Sequence, residues 1–153
     1  MVVDTACSST MVSLHYACQS LKSGESKMAL VSGVNLILNP DMFVHMSQLG
    51  FLSPGGRCRS FDSKGDGYAR GEGALAIVLK PVRQALEDGD PVRAVIKATR
   101  INHNGRTQGI SLPSKEEQQR NLESLYAGSG IDPASIQYFE AHGVSNSRVR
   151  SAL

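Results

Sequence analysis

A cysteine set between an apolar stretch and a helix start is a candidate nucleophile. Cys7 stands there, in Val2-Val3-Asp4-Thr5-Ala6-Cys7-Ser8-Ser9. A helix N-terminus carries partial positive charge and free N–H groups. Both favour a thiolate, the reactive form of cysteine. The same N–H groups can hold the oxyanion of an attacked thioester, and the small neighbours Ala6, Ser8 and Ser9 leave room for an acyl group. His142, in Glu140-Ala141-His142-Gly143, closes a second apolar stretch. An imidazole at such a strand end can donate a hydrogen bond or act as acid or base.

Each residue also has a structural reading. Cysteine often packs as a small buried hydrophobe, and a histidine can be a hydrogen-bonded core group. Three further histidines, His15, His45 and His103, fit structural roles better: His15 falls inside a helical pattern and His103 in a polar loop. Cys18 lies on an apolar helical stripe and Cys58 in a loop. The glycines of Gly65-Asp66-Gly67-Tyr68-Ala69-Arg70-Gly71-Glu72-Gly73 precede an apolar run instead of following one, so they are no dinucleotide fingerprint. The chain has no P-loop, G-x-S-x-G or H-E-x-x-H motif.

The elements that must position Cys7 and His142 follow from periodicity and punctuation. Met11, Leu14, Cys18 and Leu21 form one stripe and predict a helix over 8–22, stopped at Gly24. Residues 28–35 predict a buried strand, 41–49 a short helix after Asn39-Pro40, and 53–57 a loop. The apolar run 74–79 suits a central strand, 81–87 a short helix closed by Asp88-Gly89, and 92–99 another strand. A polar loop over 102–108 leads to an amphipathic helix over 115–127, with Ser114 as its cap. The stretches 2–7 and 136–143 read as strands ending in Cys7 and in His142-Gly143. This alternation predicts an α/β layered fold.

The chain has 153 residues, a net charge of +2 and 3 cysteines. Near neutrality, with no Lys/Arg-rich run, it does not look like a nucleic-acid binder. The cysteines form no C-x-x-C pair, which argues against a zinc ribbon or disulfide framework and favours a reducing, cytoplasmic compartment. No stretch reaches the roughly 18–20 apolar residues of a membrane span. Both ends read as interrupted elements, and residues 144–153 show no apolar period. A chain truncated at both ends is the expectation.

Several motifs, in order, resemble one family. Val3-Asp4-Thr5-Ala6-Cys7-Ser8-Ser9 is similar to the active-site motif of type I polyketide ketosynthases, the β-ketoacyl synthases. Glu140-Ala141-His142-Gly143 resembles the start of their E-A-H-G-T-G-T motif. Between them lie Gly33-Val34-Asn35, Leu52-Ser53-Pro54, Phe61-Asp62 and Asp66-Gly67-Tyr68-Ala69-Arg70-Gly71-Glu72-Gly73. The resemblance covers residues 2–143, and the interval from position 7 to position 142 suits the family. Asn102, Gly105-Arg106-Thr107, Leu112-Pro113-Ser114 and Tyr138-Phe139-Glu140 resemble fungal reducing synthases most.

The resemblance implies a thiolase-like layered fold of two related α/β halves, present here as a fragment. Residues 1–88 would be the remainder of the N-terminal half and 89–143 the start of the C-terminal half. It implies that Cys7 receives an acyl chain from an acyl-carrier protein and lends its N–H to the oxyanion hole. His142 would be one of two histidines that help decarboxylate a malonyl unit, whose carbanion attacks the Cys7 thioester. Met46 would line the acyl pocket. No cofactor is bound directly, phosphopantetheine is the carrier's substrate arm, and the intact family is homodimeric. Val144, Ser145 and Asn146 depart from the T-G-T that contacts this arm, and the family's second histidine and lysine are absent. These departures predict that residues 144–153 are not native family sequence and that this chain alone is inactive. Two alternative chemistries stay open: a Cys–His thioesterase or acyltransferase, and a fatty-acid ketosynthase. A third alternative is a non-catalytic piece.

Overall fold

A computed structural model describes residues 1–107, 109 and 112–143. In chain order the elements are α1 (Ser9–Ser23), β1 (Ala29–Asn35), α2 (Asp41–Gln48), β2 (Gly73–Leu79), α3 (Val82–Glu87), α4 (Lys115–Ser129) and a short 3-10 turn, Pro133–Ser135. They fall into two compact units, neither a continuous stretch of sequence. Met1–Val34 with Gly73–Ile101 forms the first; Asn35–Glu72 and the chain from Asn102 onward form the second.

In the first unit, β1 and β2 pair as a two-stranded sheet. Its buried apolar side chains are Val31, 3% exposed on β1, and Ala85 on α3. The end of α1 follows its sequence: Gly24 takes a left-handed conformation (φ 77°) and its N–H donates to the Leu21 carbonyl at 3.3 Å, a turn that a glycine makes without the cost of a Cβ. His15 Nδ1 lies 2.9 Å from Thr99 Oγ1, tying α1 to the segment after α3. Lys80, at the end of β2, is ion-paired to both Asp88 and Asp90, the second at 2.6 Å. Gln84 Nε2 donates to Asp88 at 2.8 Å. This cluster fixes the short α3 against the strand that precedes it.

In the second unit, the glycine-rich segment lies against the loop after α2. Tyr68 N–H donates to the Phe51 carbonyl and Ser53 N–H to the Tyr68 carbonyl, both at 3.0 Å. Gly67 makes that approach possible. A Cβ there would sit 2.4 Å from Ser53 N and 2.5 Å from the Leu52 carbonyl carbon, and its φ of 142° already excludes most side chains. Asn35 donates through Nδ2 to the Gly71 carbonyl and accepts from Arg70 Nη2 at 3.4 Å. Ile37 N–H donates to Glu72 Oε1 at 2.5 Å. Ser114 caps α4 by accepting from Glu117 N–H at 3.1 Å, with Glu116 and Glu117 in the positive first turn.

Three expected strands are absent from the described residues. Residues 2–7 carry an isolated bridge between Thr5 and Cys7, and residues 92–99 and 136–143 carry no ladder. The run 74–79 is a strand, but in a sheet of two it is not central, and Leu75 and Val78 are exposed. The reason is physical. An apolar, β-branched run has strand propensity, yet a strand exists only where a neighbour takes its N–H and C=O groups. Val95, Ile96, Tyr138 and Phe139 accordingly stay exposed. The expected tail at 144–153 lies outside the described residues.

Candidate functional site

The loop before α1 is held by short polar side chains, those of Asp4, Ser8 and Ser9. Asp4 Oδ1 accepts from Ala6 N–H at 3.0 Å, and Thr5 N–H donates to Ser9 Oγ at 2.9 Å. Ser9 Oγ donates to the Ala6 carbonyl at 2.6 Å, and Ser9 N–H reaches the same oxygen at 3.1 Å. Ser8 Oγ donates back to the Thr5 carbonyl at 3.0 Å. These bonds hold Ala6 in the left-handed region, φ 57°, where a residue with a Cβ carries about 1–2 kcal/mol of strain. The turn delivers Cys7 to the start of α1, two residues before Ser9.

None of these bonds uses the Cys7 thiol or its N–H, and Cys7 is exposed. Ser8 occupies the N-cap position but has helical dihedrals and makes no side-chain cap bond. A cap normally takes an extended conformation so that its oxygen reaches the first-turn N–H groups. Here that oxygen points back to Thr5, so it does not compete for the positive end of the helix beside Cys7. A thiol at a helix N-terminus whose cap oxygen is turned away is an arrangement for attacking a carbonyl and holding the resulting oxyanion.

His142 is exposed and precedes Gly143, which turns at φ 64°. A Cβ at Gly143 would fall 2.8 Å from Ser60 Oγ and 3.1 Å from Ser60 Cβ. The glycine after the histidine thus lets the chain close onto the Ser60 loop. Phe61, next in that loop, is itself left-handed at φ 61° and largely exposed. Tyr138 donates its hydroxyl to Glu140, and this bond raises the tyrosine's pKa above its ordinary value. Met46 lies on α2, half-buried, and its carbonyl accepts from Phe51 N–H at 3.0 Å. Cys7 stands in the first unit; Met46 and His142 stand in the second. His15 and His103 have local roles: His15 meets Thr99, and His103 Nδ1 accepts from Gly105 N–H at 2.8 Å. Cys58 Sγ accepts from Ala69 N–H at 3.3 Å.

Three features of these surroundings lie outside the expectations: the left-handed Ala6, the approach of Ser60 to Gly143, and that of Thr10 to Gly33, where a Cβ would sit 2.4 Å from Thr10 Oγ1. A glycine inside a strand pattern often marks a close approach, so Gly33 was the available signal. Ala6 carries no such mark, because alanine has no special preference for the left-handed region. Among the described residues, no helix is long and apolar enough to cross a membrane.

Comparison with known proteins points one way. The family model "Beta-ketoacyl synthase, N-terminal domain" matches residues 1–85, and "Beta-ketoacyl synthase, C-terminal domain" matches residues 93–148. A lovastatin diketide synthase of Aspergillus terreus is 55% identical over 141 residues, covering 92% of this chain and 6% of that protein. A highly reducing polyketide synthase of Aspergillus calidoustus is 51% identical over 143 residues, again 6% of its length. Among solved structures, the ketosynthase from module 6 of the Bacillus subtilis bacillaene synthase matches with TM-score 0.92 and 43% identity. It covers 94% of this chain and 26% of that one. An oxazolomycin ketosynthase domain from Streptomyces albus matches with TM-score 0.93 and 39% identity, over 97% of this chain and 26% of its own.

Proposed function

The chain belongs to the β-ketoacyl synthase family and shares the thiolase-like fold of polyketide ketosynthases, and from that premise we propose that Cys7 is the acyl acceptor of a decarboxylative condensation. The Cys7 thiolate attacks the carbonyl of an acyl thioester carried by an acyl-carrier protein. The tetrahedral oxyanion rests on N–H groups at the start of α1, among them that of Cys7, and the carrier thiol leaves. A malonyl thioester then loses carbon dioxide. His142 donates a hydrogen bond to the thioester oxygen on which the charge collects. The resulting carbanion attacks the Cys7 thioester, a carbon–carbon bond forms, and Cys7 departs as thiolate. The product chain is longer by two carbons.

The observation that carries this reading is the Cys7 turn, a strained Ala6 followed by a thiol at an uncapped helix start. Met46 is proposed to line the acyl channel, and phosphopantetheine is the arm that presents both substrates. The setting proposed is a cytoplasmic homodimer engaged in polyketide biosynthesis. The chain spans about 6% of the curated relatives and about a quarter of the solved ketosynthase chains it matches, so the reaction is assigned to the full-length protein. The full-length protein should take an acyl group from an acyl thioester at Cys7, read as a mass increment on the Cys7 peptide, and Cys7→Ala should lose the increment on that peptide. An unsubstituted protein whose Cys7 peptide gains no increment would overturn the assignment.

A further inference from the structure

We infer that Gly33 is a positioning residue for Cys7, acting through Thr10 on the first turn of α1. The inference rests on the reading of Cys7 as acyl acceptor. Gly33 lies inside β1, where a glycine weakens a strand and needs a reason. Its dihedrals supply none, since it is not among the left-handed glycines. The space around it does: a Cβ at Gly33 would sit 2.4 Å from Thr10 Oγ1 and 3.5 Å from Thr10 Cβ and Cγ2. The first distance is far inside van der Waals contact. Thr10 is β-branched, and a helix leaves such a side chain few rotamers. The displacement therefore passes to the backbone of the first turn. Thr10 is three residues from Cys7, and the turn it belongs to offers the N–H groups that hold the oxyanion. The absent Cβ at Gly33 lets α1 seat close on β1 and sets where those N–H groups stand relative to the thiol.

The test compares two reactions of the same thiol in the full-length protein. Acylation of Cys7 by a butyryl thioester passes through an oxyanion and needs the N–H groups. Alkylation by iodoacetamide is a displacement at carbon with no oxyanion. Gly33→Ala should slow acylation by roughly 100-fold, the scale of an ångström-sized misplacement, while alkylation stays near the unsubstituted rate. The double variant Thr10→Ala/Gly33→Ala removes the obstructing atoms and should restore acylation to the rate of Thr10→Ala alone. Acylation of Gly33→Ala at the unsubstituted rate would overturn the inference. So would equal loss of both reactions, or a folded double variant that is not rescued. Should Gly33→Ala alone fail to fold, the double variant still decides. If the unsubstituted protein is not acylated at Cys7 at all, the nucleophile reading fails instead, before any variant is compared.

Discussion

At the residue scale, the tasks proposed for Cys7 and His142 differ and can be separated by experiment. In that proposal Cys7 makes and breaks the covalent bond. His142 is proposed to act on the charge that develops as carbon dioxide leaves. A positioned acid, base or hydrogen-bond donor is worth about 10²–10⁴-fold in rate. His142→Ala in the full-length protein should therefore lower malonyl-thioester decarboxylation by that order and leave Cys7 acylation nearly unchanged. Release of labelled carbon dioxide and the mass of the Cys7 peptide report the two steps. Equal loss of both would place His142 in acyl transfer instead. Ala6 completes the residue picture. Its strain is held by Asp4, Thr5 and Ser9, so the short polar residues around Cys7 shape the turn as well as leaving space beside the thiol.

At the element scale, the helices were more legible than the strands. Helices satisfy their own backbone, so the stripe from Met11 to Leu21 and the stop at Gly24 suffice to place α1, and Ser114 as cap places the start of α4. A strand's existence depends on a partner that local sequence does not name. Residues 28–35 and 74–79 have each other; residues 92–99 and 136–143 have no ladder partner among the described residues. A glycine can mark a close approach between backbones but does not name its counterpart. Gly67 is one such case. Gly67→Ala would drive a Cβ into the Leu52–Ser53 backbone, which cannot rotate away as a side chain can. A loss of about 1–3 kcal/mol or more follows from such overpacking, read as a lower denaturant midpoint; an unchanged midpoint would count against the described approach.

The turn after β2 adds a pH-dependent element. The hydrogen bond from Lys80, and then that from Gln84, hold the Asp88 carboxyl below the ordinary aspartate value. The bonds to Asp88 and Asp90 raise Lys80 above the ordinary lysine value. A lowered carboxyl stabilises the folded state fully above its unfolded value and loses that contribution as pH falls through the folded one. A raised ammonium contributes fully below its unfolded value and loses it as pH rises through the folded one. The cluster should thus be intact across neutral pH and come apart at both extremes. The Asp88 carboxyl carbon, followed by NMR as the pH is lowered, should titrate below 3.8. Titration at or above that value would contradict the pairing.

At the whole-molecule scale, the fold class was legible because motifs at fixed intervals report a shared architecture even where individual strands are misread. The sequence intervals between Cys7, Gly33, the glycine-rich segment and His142 identify the family, and the solved ketosynthases share the backbone at TM-scores of 0.92 and 0.93. The distribution of the candidate residues over two compact units was not legible, because the units interleave along the chain.

The central claim is that this Cys7 serves carbon–carbon bond formation and not hydrolysis. Product analysis tests it most directly. The full-length protein is given a butyryl thioester and a malonyl thioester labelled with carbon-13. The account predicts a labelled β-ketoacyl product two carbons longer than butyryl, with one carbon dioxide released per product and none formed by Cys7→Ala. Free butyrate as the sole product, with the malonyl label untouched, would contradict it.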